Sequence, residues 1–292
     1  MDVRMAYLLG MILGNGEVQR NRQATTITID LPYKKLSDDE GLDIAVYVKA
    51  SIVNICDVVE PLIEHKLSVS QTRHSQKLSF TKSNDNYIVY ELMRFIGNGV
   101  HHSTMTMNRE IFDFSRDEKK ELLRGIADVT GHIRESNIAF GQKGAHRVYI
   151  EIPSNWQMVI DIANMLKDLD IPVQSIDFGH PNFRDSKLKK YNDGKPDYWK
   201  KEHQVKIYAN EFLPIGFNIL HKQRALEKYA NELLHEFPRA NLTHNFYWER
   251  NSSRKKDKPI HPGENDNSLP IGIRGIHFNS WTELAKKLGY HE

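Results

Sequence analysis

One cysteine, Cys56, stands in 292 residues. That rules out an intramolecular disulfide framework and any zinc site built on several thiolates. No run approaches the 18 or so apolar residues that a membrane-spanning helix needs, so no membrane partner is expected. The N-terminus lacks a basic-then-apolar leader, and Met1 to Leu13 is too short for one, so an intracellular location (cytoplasm or nucleoid, an organelle not excluded) is expected. Fourteen histidines form neither a His-x3-His zinc pair nor an HNH pattern. Charge of one sign is scarce as well. The net charge of +2 is too small to mark a nucleic-acid binder, so any such surface must come from local clustering. Apolar residues make up 39% and charged residues 27%, enough for a folded protein with a sizeable core.

What is present is a repeat. Leu8-Leu9-Gly10-Met11-Ile12-Leu13-Gly14-Asn15-Gly16 and Leu123-Arg124-Gly125-Ile126-Ala127-Asp128-Val129-Thr130-Gly131 are apolar stretches with glycine at the third and ninth positions. Small residues on one helix face let two backbones approach closely, so the pair suggests a duplicated unit whose copies pack helix on helix. The closing glycines, Gly16 and Gly131, suit a helix end in a left-handed or extended conformation.

The same order of elements follows each copy. After the first come a strand pair at 16–22 and 24–31, a helix at 42–59, a hairpin at 66–73 and 77–82, and a helix at 85–96. Thr26, Thr28 and Asp30 alternate there with Ile27, Ile29 and Leu31, the period of a half-buried strand. After the second come strands at 132–140 and 146–152, a helix at 156–169, strands near 173–178 and 203–208, and a helix at 223–237. Val148, Ile150 and Ile152 alternate with Tyr149 and Glu151. Each half therefore reads α-β-β-α-β-β-α, an α+β class. The divisions are a first half at 1–98, a linker at 99–116, a second half at 117–237 and a tail at 238–292. In the tail, Ser280 and Glu283 form a capping box for a short helix that Gly289 stops.

Both repeated segments resemble the LAGLIDADG motif of homing endonucleases in its single-chain, two-motif form. Tyr7-Leu8-Leu9-Gly10 and Glu121-Leu122-Leu123-Arg124-Gly125-Ile126 are similar to the usual approaches to the two motifs. The resemblance implies two antiparallel four-stranded sheets forming a saddle on double-stranded DNA, around the paired motif helices. It also implies a monomer with internal pseudo-twofold symmetry. Outward strand residues would read base edges in the major groove. The candidates are Gln19, Arg22, Thr26, Thr28, Gln71, Arg73, Arg134, Asn137, Lys143, Arg147 and Gln174. A basic segment, Arg184 to Lys206, carries eight Lys or Arg against four acids. Its Lys187, Lys189, Lys190 and Lys201 are candidates for phosphate contacts.

The family places Asp or Glu at the eighth motif position, where the acids hold Mg2+ for phosphodiester hydrolysis. Here those positions are Asn15 and Thr130. Glu17 and Asp128 are the nearby acids that could supply metal ligands, although two residues along a helix turn Asp128 away. Lys82 and Lys222 match the basic residues that the family sets beside the scissile phosphates. Three functions follow from the resemblance. One is a site-specific DNA endonuclease of homing or restriction type with altered motif acids. The second is a catalytically degenerate DNA-binding regulator. The third is an RNA-splicing maturase acting on intron RNA.

Overall fold

A computed structural model describes residues 2–32, 44–97, 99–135, 146–177, 202–232, 271–273 and 276–278. The chain divides into two compact units. One comprises Met1–Ile150 and Lys206–Pro238, the other Glu151–Val205 and Arg239–Glu292.

The first motif lies in helix α1 (Val3–Asn15), capped by Asp2, whose carboxylate accepts from the Arg4 amide at 2.8 Å. Strands β1 (Gly16–Arg20) and β2 (Ala24–Pro32) follow, then helix α2 (Ile44–Ile63). Strands β3 (Ser68–Gln71) and β4 (Ser75–Ser83) lead to helix α3 (Tyr87–Ile96). Between the halves lies a 3-10 turn at Arg109–Asp113. The second motif lies in α4 (Arg116–Thr130). Its start carries a full capping box, with the Ser115 hydroxyl accepting from the Glu118 amide and the Glu118 carboxylate accepting from the Ser115 amide.

Then come β5 (Gly131–Glu135), β6 (His146–Pro153), α5 (Trp156–Asp168), β7 (Ser175–Asp177) and β8 (Glu202–Tyr208). A one-turn helix, α6 (Ala209–Phe212), precedes α7 (Leu220–Glu232). Two antiparallel four-stranded sheets result, in the orders β1-β2-β4-β3 and β5-β6-β8-β7. The equal order in both is the duplication that the sequence announces. A small antiparallel pair, β9 (Ile271–Ile273) and β10 (Ile276–Phe278), stands where only a tail is expected. The helix expected at 280–289 lies outside the described residues.

Glycine decides how α1 meets α4. A methyl group on Gly10 would sit 2.1 Å from the Leu122 carbonyl oxygen and 3.1 Å from the Ile126 nitrogen. One on Gly125 would sit 2.2 Å from the Tyr7 oxygen and 2.9 Å from the Met11 nitrogen. Tyr7 and Leu122 each precede the motif, and Met11 and Ile126 are each its fourth residue. The contacts are thus reciprocal, as a local twofold axis requires. The helices end alike too. Gly16 (φ −105°) and Gly131 (φ −89°) are extended rather than left-handed. Glycine is needed there for close approach, since a methyl would lie 2.6 Å from the Ile12 oxygen or 2.5 Å from that of Ala127.

Gly14 offers a softer test of the packing, because a methyl there meets the Val129 Cγ2 at 2.6 Å, a side-chain atom. Gly14→Ala should destabilise by about 1–3 kcal/mol through overpacking. Adding Val129→Ala should recover part of that loss, giving a coupling of about 1 kcal/mol in a denaturant double-mutant cycle. A purely additive pair would show that the two residues do not compete for the same space.

In the first sheet, β2 alternates as expected, with Ile27, Ile29 and Leu31 buried and Thr26, Thr28 and Asp30 half-buried. Thr25 is also buried, its hydroxyl donating to the Asn84 Oδ1 at 2.7 Å. Strand β6 departs from the expected alternation: every residue from Arg147 to Ile152 is buried. On its polar side, the Tyr149 ring stacks on His132 with centroids 5.2 Å apart. The Glu151 carboxylate accepts from the Gln204 Nε2 at 2.8 Å.

Candidate nucleic-acid interface

The two eighth-position side chains are turned to backbone carbonyls. The Asn15 Nδ2 donates to the Asp30 oxygen at 2.7 Å. The Thr130 hydroxyl, buried, donates back along its own helix to the Ile126 oxygen at 2.6 Å. The seventh positions, Gly14 and Val129, also meet across the helix pair.

Asp128 is wholly buried and fully engaged. Its Oδ2 accepts from the Tyr7 hydroxyl at 2.7 Å, a bond across the two motif helices. Its oxygens also accept from the Asn218 amide at 3.2 Å and the Ile219 amide at 3.3 Å, the turn that opens α7. Burial pushes its carboxyl up to about 6, against the pull of the Lys222 ammonium and these donors. Burial and the adjacent carboxylate raise the Tyr7 phenol well above its ordinary value.

Lys222 is buried, and its ammonium donates to the Asp128 oxygen at 2.9 Å and the Gly131 oxygen at 2.7 Å. It caps the C-terminal carbonyls of α4, where a cation also meets the negative end of the helix dipole. Lys82 is half-buried on β4, opposite Thr25.

Glu17 is exposed on β1 and its Oε1 accepts from the Gln19 Nε2 at 3.1 Å. Beyond it runs a short extension of the sheet that the sequence did not suggest. The Val18 amide donates to the Val100 oxygen at 2.7 Å, and the His102 amide donates to the Gly16 oxygen at 2.9 Å. Glu17 and His101 thereby form a non-hydrogen-bonded antiparallel pair with neighbouring side chains. The imidazole of His102 is pushed down to about 4, chiefly by burial and then by His101.

Magnesium asks for hard carboxylate oxygens in a near-octahedral set. The motif ends offer an amide and a hydroxyl, the oxygens of Asp128 are filled by three donors, and Glu17 stands on the outer side of its strand. Among the described residues, no group of three His, Cys, Asp or Glu side chains is placed to hold a metal ion. This donor set does not fit a motif-centred Mg2+ site. Among the same residues, no helix is long and apolar enough to cross a membrane.

The outward face of the first sheet is polar and open. Glu17 pairs with Thr28, Gln19 with Thr26, Thr28 with Ser79, and Asp30 with Lys77. The Thr26 and Thr81 hydroxyls share a hydrogen bond of 2.8 Å. Asp30 and Lys77 belong to this row although they were not among the expected readers; the alternation of β2 already marked Asp30 as outward. Gln19, Gln71 and Arg134 are exposed on their strands, and Arg22 and Arg73 are exposed in the hairpin turns. Gln174 is half-buried just before β7, and Arg147 is buried. Asn137, Lys143, Lys187, Lys189, Lys190 and Lys201 lie outside the described residues.

No family model matches the chain, and no curated protein does. Solved structures do. I-DmoI in complex with DNA and Mn is 12% identical over 76% of this chain and 96% of its own, with a TM-score of 0.40. LAGLIDADG homing endonuclease I-GzeII with its DNA target is 7% identical over 78% and 88%, with a TM-score of 0.41. These likenesses are LAGLIDADG homing endonucleases. Full-length DUF199/WhiA from Thermatoga maritima is a further likeness, 14% identical over 83% of this chain and 64% of its own, with a TM-score of 0.42. I-DmoI variants solved with Mg or Mn are among them as well.

Proposed function

We propose that this chain binds double-stranded DNA as a monomer through the polar faces of its sheets, and that its motif helices scaffold this binding rather than metal-dependent cleavage. One observation carries the proposal. The reciprocal Gly10 and Gly125 contacts keep the motif helices paired and feeding directly into the sheets, while their eighth positions hold an amide and a hydroxyl spent on carbonyls. A paired-helix scaffold that carries no carboxylate at its eighth positions suits a binder. An antiparallel ribbon with outward Gln, Thr, Lys and Arg fits the major groove, where such side chains discriminate base edges.

Gel shift and plasmid cleavage, run in parallel with Mg2+ and then Mn2+, test this. The wild type should retard duplex DNA and leave the plasmid intact. Asn15→Asp with Thr130→Asp should gain metal-dependent cleavage, because carboxylates restore hard-ligand coordination. The same variant should bind more weakly without metal, since two anions then face phosphate. Cleavage by the wild type, abolished by Glu17→Gln, would instead make the chain an endonuclease whose acid has moved. Preference for structured intron RNA over duplex DNA would select the maturase.

A further inference from the structure

The two sheets share one strand order but differ in what they leave free. In the first, the outward residues Glu17, Gln19 and Thr81 are exposed, Thr26, Thr28, Lys77 and Ser79 are half-buried, and all of β3 is exposed. Few of these side chains bind one another, apart from the Gln19–Glu17 and Thr26–Thr81 hydrogen bonds. They are short or flexible, and their donors and acceptors face outward.

Among the described residues, most of the outward side chains of the second sheet are spent inside the protein, and Arg134, exposed, is held over a buried ring. Tyr149, 4% exposed, gathers the neighbouring cations. The Arg134 guanidinium lies 4.3 Å from its ring centroid and the Lys206 ammonium 5.5 Å. Arg147, opposite Arg134 in register, is 2% exposed. Further along the strand Glu151 and Gln204 are buried and hydrogen-bonded to each other. A cation held over an aromatic face is stabilised there, the buried Lys206 more than the exposed Arg134, and must give up that contact to reach a base edge. Buried polar groups whose partners lie within the protein cannot leave them without losing those bonds.

We infer, resting on the duplex-binding proposal above, that base-specific readout is confined to the first sheet, so that the recognition element is one-sided. Gln19, Thr26, Thr28 and Lys77 determine specificity. The second half contributes contacts to the sugar-phosphate backbone that carry no sequence information. A duplicated scaffold thereby reads an asymmetric site, with base preference on one side of the centre only.

Selection from a fully randomised duplex library with the whole chain, followed by hydroxyl-radical footprinting, tests this. The expected result is base preference on one side of the site centre and backbone protection on both. Gln19→Ala, a change at an exposed position, should relax preference at one base roughly tenfold and leave the other side untouched. Comparable base preference on both sides overturns the inference and leaves duplex binding standing. Unchanged preference in both Gln19→Ala and Lys77→Ala also overturns it. A library from which no duplex is retained overturns the duplex-binding proposal and this inference together.

Discussion

Replacing Gly10 or Gly125 with alanine is expected to cost at least about 3 kcal/mol each, at the upper end of what overpacking does. In a helix interior such a change ordinarily stabilises by about 1 kcal/mol, because alanine is the better helix former. Here the new methyl would lie 2.1 Å from the Leu122 carbonyl oxygen, or 2.2 Å from that of Tyr7. Both obstacles are backbone, so no rotamer change relieves them. The helices must separate, and with them the buried Leu8, Leu9, Ile12, Leu122, Leu123 and Ile126. The double variant should lose cooperative unfolding by calorimetry. Melting within a few degrees of the wild type would mean that the helices do not approach through these glycines. Gly14→Ala should rank well below both, since its obstacle is a valine methyl.

The features most legible in the sequence were those written in local periodicity. The matching glycines announced the paired helices, and the Thr26–Leu31 alternation announced β2 and its outward face. The closing glycines mark helix ends of the extended kind, one of the two conformations expected, and it is the close carbonyls rather than the φ values that demand glycine there. Less legible was everything that depends on distant partners. Nothing local says that Tyr149 and Glu151 are buried together with Arg147, because the cations and amide that surround them come from β5 and β8. Nothing local joins Tyr7 to Asp128, which are 121 positions apart. Lys222 matches, by resemblance alone, the basic residue that the family sets beside a scissile phosphate. Its ammonium instead reaches two carbonyls at the end of α4, an end visible only once the chain has folded.

Removal of the Asp128 carboxylate should be comparably damaging, and its pH dependence identifies the cause. Asp128→Ala strands the Tyr7 hydroxyl and the Asn218 and Ile219 amides in the interior, and takes a counter-charge from beside Lys222. A loss of about 3–5 kcal/mol is expected from breaking such a buried set. Asp128→Asn should cost much less, because its amide oxygen still accepts from the backbone and Tyr7 can reverse its hydrogen bond. The sign of the pH effect follows from burial. With an ordinary value of 3.8 and about 6 when folded, the native protein binds the extra proton in that interval. The carboxyl's contribution is therefore full below pH 3.8 and is lost as pH rises through about 6. His102 and His221, both pushed down to about 4 by burial, act oppositely, losing stability as pH falls from 6.5 towards 4. The wild-type curve mixes the two, so the measurement is the difference between wild type and Asp128→Asn in denaturant midpoint across pH 4 to 7. That difference should shift in favour of the variant as pH rises. A flat difference would mean that Asp128 keeps an ordinary carboxyl despite its burial between the motif helices.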